Sequence, residues 1–280
     1  MKRVAWLASV TGADEARMAL AAGADIVDAK NPAAGALGAL PMRAVLGIVA
    51  AAEGGAASPP PRAGEDGRGM PALGRPGGGM VSATVGDLVE MQPPVLRAAA
   101  LDMAATGVDV VKLGLFPAPT LAACIDGLAA VAARHKLVGV LFADRLTDYA
   151  GPDALQRVIA RLAAAGWLGV MLDTADKHAG GLLHHCATPF LRDIIALAHQ
   201  HGLHCGLAGS LLLDDIPALL SLAPDMLGFR GALCSAARRT AGLDPQRLAA
   251  VARAMQQRTD PHASRNTTSG TAVGPCPVRI

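Results

Sequence analysis

Several lysines of this chain lie at positions from which an amine could react with a substrate. The 280 residues contain 20 arginines but only five lysines. Three of the lysines, Lys30, Lys112 and Lys177, lie at or just beyond the ends of short apolar segments. Lysine can lose its proton and attack a carbonyl carbon to form an imine, whereas arginine cannot. These three positions therefore predict a site that handles aldehydes or ketones.

Carboxylates accompany the lysines. Asp28 lies two residues before Lys30, so both side chains share one side of an extended chain. Asp173 precedes Lys177 by four residues, and Asp144 ends another apolar segment. Neighbouring cations and apolar walls lower the pKa of a lysine, and carboxylates can transfer protons. Buried Lys–Asp pairs that only neutralise each other are the alternative for any one pair, but three lysines in equivalent positions favour function.

The elements that position these residues alternate along the chain. Apolar or β-branched segments predict strands at 4–10, 25–30, 80–86, 109–115, 137–144, 169–174, 204–210 and 226–231. Ala/Leu-rich segments predict helices at 14–20, 42–53, 95–106, 119–134, 152–165, 188–201, 214–222 and 244–257. Eight β/α units predict an α/β fold of the (β/α)8 TIM-barrel type. A doubly wound open sheet is the alternative, but eight units and the lack of a GxGxxG motif after the first strand argue against it.

Such a barrel would bring the lysines together. Its active site lies at the carboxyl ends of the strands, and alternate strands contribute to the same layer. The lysines follow strands two, four and six and can therefore converge on one pocket. Small residues after strands seven and eight let backbone N–H groups approach an anion. The predicted phosphate-binding residues are Gly209, Ser210, Gly231 and Ala232. If these residues do more than form tight turns, the substrate is a phosphorylated carbonyl compound.

The composition excludes several classes of protein. Hydrophobic residues make up 52% of the chain, which rules out disorder of the whole chain. A net charge of +2 and 2% aromatic residues argue against nucleic-acid binding. No uncharged apolar run is long enough to span a membrane. Five widely spaced cysteines without a CxxC pair indicate no disulfide framework, and we expect a cytoplasmic protein.

Two segments differ from the rest of the chain. Residues 54–79 are rich in glycine and proline and predict a mobile insertion, and residues 259–280 predict a flexible tail. We therefore expect one catalytic domain over 1–258, interrupted by this insertion. The histidines around Cys205, at 199, 201 and 204, could conceivably bind a metal. However, the barrel places them at the end opposite the active site, so no metal site is predicted.

Several blocks of sequence resemble those of one enzyme family. The blocks, in chain order, are ADIVDAKNP at 24–32, VSATVGD at 81–87, VKLGL at 111–115, MLDTADK at 171–177, LAGS at 207–210 and GFRGA at 228–232. They resemble the (5-formylfuran-3-yl)methyl phosphate synthase family, also called 4-(hydroxymethyl)-2-furancarboxaldehyde-phosphate synthase. The resemblance extends from about residue 4 to residue 255, and the insertion and the tail lie outside it.

The resemblance implies a lyase of methanofuran biosynthesis, within one-carbon metabolism. Such an enzyme joins two molecules of glyceraldehyde 3-phosphate into a phosphorylated furan aldehyde, with loss of phosphate and water. Lys30 falls on the family's Schiff-base lysine, and Lys112, Lys177, Asp28 and Asp173 fall on its other catalytic positions. The implied partner is a small triose phosphate, with no cofactor, metal, nucleic acid or membrane, and we expect a homo-oligomer. A class I aldolase, a phosphosugar isomerase or a non-catalytic phosphosugar-binding barrel remain the alternatives.

Overall fold

The structure is a computed structural model that describes residues 3–54, 79–149, 151 and 153–256. The insertion predicted at 54–79 falls almost wholly on 55–78, and the tail predicted at 259–280 falls within 257–280. Both therefore lie outside the described residues. Within the described ranges, no helix is long and apolar enough to cross a membrane.

Eight parallel strands form a closed barrel in sequence order. Each strand pairs with its neighbour, and β8 closes the circle by pairing with β1, so that Ala5 lies opposite Met226. The strands are β1 (Ala5–Val10), β2 (Ile26–Ala29), β3 (Met80–Thr84), β4 (Val110–Gly114), β5 (Lys136–Phe142), β6 (Gly169–Asp173), β7 (His204–Leu207) and β8 (Met226–Phe229). The closed order confirms the predicted TIM barrel and rules out the open sheet.

Helices connect the strands and bury one apolar face. They are α1 (Ala13–Ala21), α2 (Met42–Glu53), α3 (Pro93–Ala104), α4 (Leu121–Gly127), α5 (Ala129–Ala132), α6 (Ala154–Ala164), α7 (Leu182–His185), α8 (Thr188–Gln200), α9 (Ile216–Leu220) and α10 (Pro245–Gln256). In α6 the buried residues include Leu155, Val158, Ile159 and Leu162. This spacing of three and four residues is the pattern that predicted the helix.

Several element bounds differ from the predicted ones, and two of these differences have a clear local cause. The helix predicted at 119–134 is divided into α4 and α5 at Leu128. Gly127 precedes the break, and glycine is a poor helix former because it loses much backbone entropy on folding. Strand β7 ends at Leu207 rather than at 210. Gly209 and Ser210 have positive φ angles, of 108° and 52°, which cannot continue a strand.

The barrel interior has an apolar floor beneath a polar layer. A small internal cavity is lined by Ser82, Lys112 and the apolar side chains of Leu7, Ile26, Met80, Val110, Val138, Leu168, Met171 and Met226. Gly206 makes room for this floor, since a Cβ atom there would lie 2.9 Å from Met226 and 3.0 Å from Met171. Because this floor is mostly apolar, the charged groups of the interior lie toward the carboxyl ends of the strands.

Candidate active site

One cavity of about 680 Å³ lies at the carboxyl ends of the barrel strands. All nine residues predicted to bind or react line it, namely Asp28, Lys30, Lys112, Asp173, Lys177, Gly209, Ser210, Gly231 and Ala232. The predicted convergence of lysines from alternate strands is therefore seen in the structure.

Asp28 and Lys112 form a buried ion pair across β3. The two charged atoms, Asp28 Oδ2 and Lys112 Nζ, are 2.7 Å apart, and the side chains are 0% and 5% exposed. Strand register places Ser9 and Ser82 directly beside Asp28 on the two neighbouring strands. Their hydroxyls donate to its carboxylate at 3.3 Å and 2.6 Å. The carboxylate of Asp28 is therefore held in a fixed position as a hydrogen-bond acceptor.

Asp173 is the second anionic centre, and it binds two lysines. Lys30 Nζ reaches across the cavity from the end of β2 and lies 3.2 Å from Asp173 Oδ2. Lys177 Nζ lies 2.5 Å from Asp173 Oδ1, and it also donates to the carbonyl oxygen and the hydroxyl of Thr174. The backbone N–H of Thr174 donates to Asp173 Oδ1 at 2.8 Å. Two amines thus share one carboxylate at the cavity wall.

Burial and charge shift the pKa values of these groups. Burial lowers the pKa of Lys112, and the positive charge of Lys30 adds to this effect, while Asp28 opposes it. Burial likewise lowers the pKa of Lys177 against the opposing charge of Asp173. Burial alone would raise the pKa of Asp173, but Lys30 and Lys177 outweigh it and hold this pKa well below its usual range. The cavity therefore contains an ionised carboxylate, Asp173, and two amines, Lys112 and Lys177, that lose their protons more readily than usual.

Asp144 does not belong to this cavity. It lies in a 3-10 helix at Ala143–Asp148, beyond the end of β5. Its two carboxylate oxygens accept hydrogen bonds from the backbone N–H groups of Ala175 and Asp176, each at 2.7 Å. The expectation that Asp144 assists proton transfer is not supported by this position, because both oxygens are engaged. Asp144 instead fixes the loop after β6 that carries Lys177.

Four residues of the segments after β7 and β8 line the cavity and have backbone N–H groups that are unpaired within the described part of the chain. The N–H groups of Gly209, Ser210, Gly231 and Ala232 donate no hydrogen bond to any other described residue. A side chain at position 209 would approach the backbone, because its Cβ atom would lie 3.2 Å from the nitrogen of Thr174. These four N–H groups are thus available to an anion.

Sequence reasoning did not identify the anchor of the loop after β8. Arg230 donates to both carboxylate oxygens of Glu15 at 2.6 Å and 3.3 Å, and to the backbone oxygens of Ser9 and Ala241. Burial opposes the charge of Glu15, but the bonds from Arg230 and Thr11 outweigh it and lower the pKa of Glu15. The contact between Arg230 and Glu15 could not be predicted, because the two residues lie 215 positions apart in the sequence.

The histidines predicted to lie away from the active site do so. His204 begins β7 and therefore lies at the amino end of the strand. His199 and His204 contact the two carboxylate oxygens of buried Asp225, at 2.7 Å and 3.1 Å. Among the described residues, no group of three or more acidic, histidine or cysteine side chains is arranged to hold a metal ion.

A comparison with known families identifies the family of this chain. A sequence model of 4-HFC-P synthase matches residues 6–252. The chain belongs to this family. The match extends from β1 into α10 and therefore covers almost the whole barrel.

Individual relatives carry the corresponding enzyme name. A protein of Methanococcus maripaludis strain C5, named (5-formylfuran-3-yl)methyl phosphate synthase, is 33% identical over 81% of this chain and 89% of its own length. A Methanosarcina acetivorans protein of the same name is 33% identical over 84% of this chain and 92% of its own. A Methylorubrum extorquens protein, to which the name is given provisionally, is 42% identical over 89% and 91%.

Solved structures are similar in fold alone. Phosphoribosyl anthranilate isomerase from Thermus thermophilus has a TM-score of 0.56 and 16% identity, and the match covers 90% of this chain and 98% of that one. A copper homeostasis protein CutC from Streptococcus agalactiae has a TM-score of 0.58 and 11% identity, over 80% of this chain and 97% of that one. These values support the barrel and carry no information about the reaction.

Proposed function

We propose that this protein is a (5-formylfuran-3-yl)methyl phosphate synthase that condenses two molecules of glyceraldehyde 3-phosphate. The net reaction releases one phosphate and two molecules of water, which balances the atoms of substrate and product. The observation that carries the proposal is the cluster of three lysines and two aspartates in one cavity, in a chain of this family. Methanofuran biosynthesis is the pathway that the resemblance implies.

Lys30 is the proposed covalent residue. One triose phosphate is isomerised to its ketone form, and the neutral amine of Lys30 attacks the ketone carbon. Loss of water then gives an iminium ion. The second triose phosphate loses the proton next to its aldehyde and eliminates phosphate, which leaves an enol whose terminal carbon attacks the electrophilic iminium carbon. The hydroxymethyl group of the first triose then closes the ring on the new ketone, and loss of water and release of the Lys30 amine form the two double bonds of the furan.

Asp173 and Lys177 are the proposed acid–base pair at Lys30. Asp173 lies 3.2 Å from Lys30 Nζ and 2.5 Å from Lys177 Nζ, so its carboxylate can accept a proton beside the iminium. The lowered pKa of Lys177 makes it a suitable proton donor to a developing alkoxide. Asp28 and Lys112 serve proton transfer and charge neutralisation deeper in the cavity.

The backbone N–H groups of Gly209, Ser210, Gly231 and Ala232 are the proposed site for a substrate phosphate. Their place after β7 and β8 is the usual phosphate position in barrels of this type. Several unpaired N–H groups can surround one phosphate without the cost of ordering long side chains. This placement would hold the triose with its carbonyl group toward Lys30.

The product of the purified protein tests this function. Incubation with glyceraldehyde 3-phosphate alone, followed by mass spectrometry, should give a phosphorylated furan aldehyde and inorganic phosphate. A simple aldol adduct or dihydroxyacetone phosphate as the only product would instead favour the aldolase or isomerase. Unchanged substrate under conditions in which the protein is folded would contradict catalysis on this triose.

A further inference from the structure

Two arginines of the cavity wall have no ion-pair partner among the described residues. Its charged lining residues are Asp28, Asp173, Lys30, Lys112, Lys177, Arg230, Arg238 and Arg239. The lysines pair with the two aspartates, and Arg230 pairs with Glu15. Within the described residues, neither Arg238 nor Arg239 forms an ion pair. Arg238 is exposed, whereas Arg239 is half-buried, so the charge of Arg239 is the less hydrated of the two.

Arg239 is held in position by its neighbours. Its backbone oxygen accepts a hydrogen bond from Arg230 Nε at 2.8 Å, and its Nη2 atom donates to the backbone oxygen of Gly35 at 3.1 Å. The loop that carries Gly35 is itself fixed, because Asp87 accepts the backbone N–H groups of residues 36 and 37 at 2.8 Å and 2.9 Å. A guanidinium has five N–H donors, so most donors of Arg239 are left for a ligand.

The guanidinium of Arg239 lies at the loop after β2. Arg239 follows Gly231 and Ala232 on the segment after β8, and its Nη2 atom bridges that segment to the loop after β2, the strand that leads to Lys30. Gly209 and Ser210 follow β7, which β8 and β1 separate from β2 in the barrel. Burial is the main reason for the lowered pKa of Lys177, and the charge of Arg239 contributes to the same shift. The guanidinium therefore acts electrostatically on the reaction centre from another side of the cavity.

We propose that Arg239 holds a second phosphate monoester, that of the second triose phosphate. This identity of the ligand rests on the proposed function, whereas the existence of a second anion subsite rests on the geometry of Arg239 alone. Two phosphate dianions in one cavity repel each other, so each needs its own donors. A guanidinium can donate two parallel hydrogen bonds to one phosphate, which suits this task.

Titration with inorganic phosphate in a calorimeter tests the subsite without turnover. The wild-type protein should bind two phosphates per chain. Arg239→Gln should bind one phosphate with unchanged affinity and a second with an affinity at least about tenfold lower. Arg239→Lys keeps the charge and should retain two sites. Arg253→Gln, on the exposed side of α10, removes the same charge elsewhere and should also retain two. One site in the wild type, or two equal sites in Arg239→Gln, would overturn the proposal.

A second titration separates the two sources of phosphate. Glycerol 3-phosphate is a monoester that cannot form an imine, and it should fill both sites of the wild type but only one in Arg239→Gln. If it fills a single site in both proteins while inorganic phosphate fills two, the subsite holds released phosphate, and the assignment to substrate is wrong. Neither titration depends on product identity, so failure of the proposed function and failure of this subsite are distinguishable.

Discussion

At the scale of single residues, the cavity depends on buried charges that neutralise one another. The Asp28–Lys112 pair is almost completely removed from solvent. Desolvation of two ions costs several kcal/mol each, and only close pairing and further hydrogen bonds offset it. The two serine hydroxyls on Asp28 supply such bonds. The site is therefore costly to build, which is expected where reactivity rather than stability is the requirement.

Removal of one member of this pair should destabilise the barrel. In Asp28→Asn, the ammonium of Lys112 remains buried without its counterion, and the free energy of unfolding should fall by about 3 kcal/mol. The double variant Asp28→Asn/Lys112→Met should recover much of this loss, because no charge remains buried. Urea denaturation of the three proteins measures the difference. Equal stability of Asp28→Asn and the wild type would show that the pair carries no such coupling.

The residue types revealed part of the site in advance. Rare lysines and aspartates at strand ends could be found because the β/α alternation gave each one a place on the barrel. The sequence could not distinguish Arg239 from its neighbour Arg238, because the path of the chain after β8 has no periodic pattern. Asp144 was given a role in proton transfer since it follows a strand, but hydrogen bonds to the backbone of the next loop could not be foreseen from spacing.

At the scale of elements, the loops after β6 and β7 determine what the cavity can bind. Asp144 holds the loop after β6 through two backbone N–H groups. Gly209 turns the chain after β7 with a φ of 108°, and its hydrogen takes the place that a Cβ atom would occupy near Thr174. The turn therefore needs glycine both for its backbone angle and for its closeness to the neighbouring loop.

Substitution at this turn should affect activity and not only stability. Gly209→Ala adds a methyl group against Thr174, should disturb the N–H groups around the proposed phosphate, and should lower kcat/KM at least about tenfold. Gly202→Ala is the matched control, because Gly202 also has a positive φ but open space around its Cβ position. Both variants should lose roughly 1–2 kcal/mol of stability.

Steady-state kinetics beside urea denaturation separate the two effects. Full activity in Gly209→Ala, or an equal loss of activity in Gly202→Ala, would contradict a specific role for this turn.

At the scale of the whole molecule, the two ends of the barrel have different tasks. The carboxyl ends of the strands hold the lysines and the exposed N–H groups. At the other end, Asp225 accepts hydrogen bonds from His199, His204 and the backbone of Cys205, and these contacts join α8 and β7 to the segment before β8. Polar networks at the amino end of a barrel usually serve stability.

This division of tasks predicts a variant that loses stability alone. Asp225→Asn removes the buried negative charge that organises these contacts, and the free energy of unfolding should fall by about 2 kcal/mol. Below the unfolding transition, kcat/KM should equal that of the wild type. Thermal denaturation and initial rates at low temperature measure both quantities, and a folded variant with reduced kcat/KM would contradict the division.

The overall fold was largely predictable from the sequence. Alternating periodicity identified eight strands and nearly all helices, because helix and strand periods differ strongly. The exact ends of the strands and helices were harder to predict from the sequence. Strand β7 stops early because the next residues adopt positive φ, and the predicted helix at 119–134 breaks after Gly127, where backbone entropy outweighs the surrounding helix-forming residues.

The proposed function depends on an imine between Lys30 and the triose phosphate. Borohydride reduces imines to stable amines, so reduction during turnover followed by peptide mass spectrometry locates the adduct directly. The adduct should lie on the peptide that contains Lys30, should be absent in Lys30→Arg, and should persist in the control Lys136→Arg, whose exposed lysine begins β5.

Turnover in Lys30→Arg should fall roughly a thousandfold or more, because arginine keeps the charge but cannot form the imine. An adduct on Lys112 or Lys177, or formation of the furan with no trapped adduct at Lys30, would contradict the assignment.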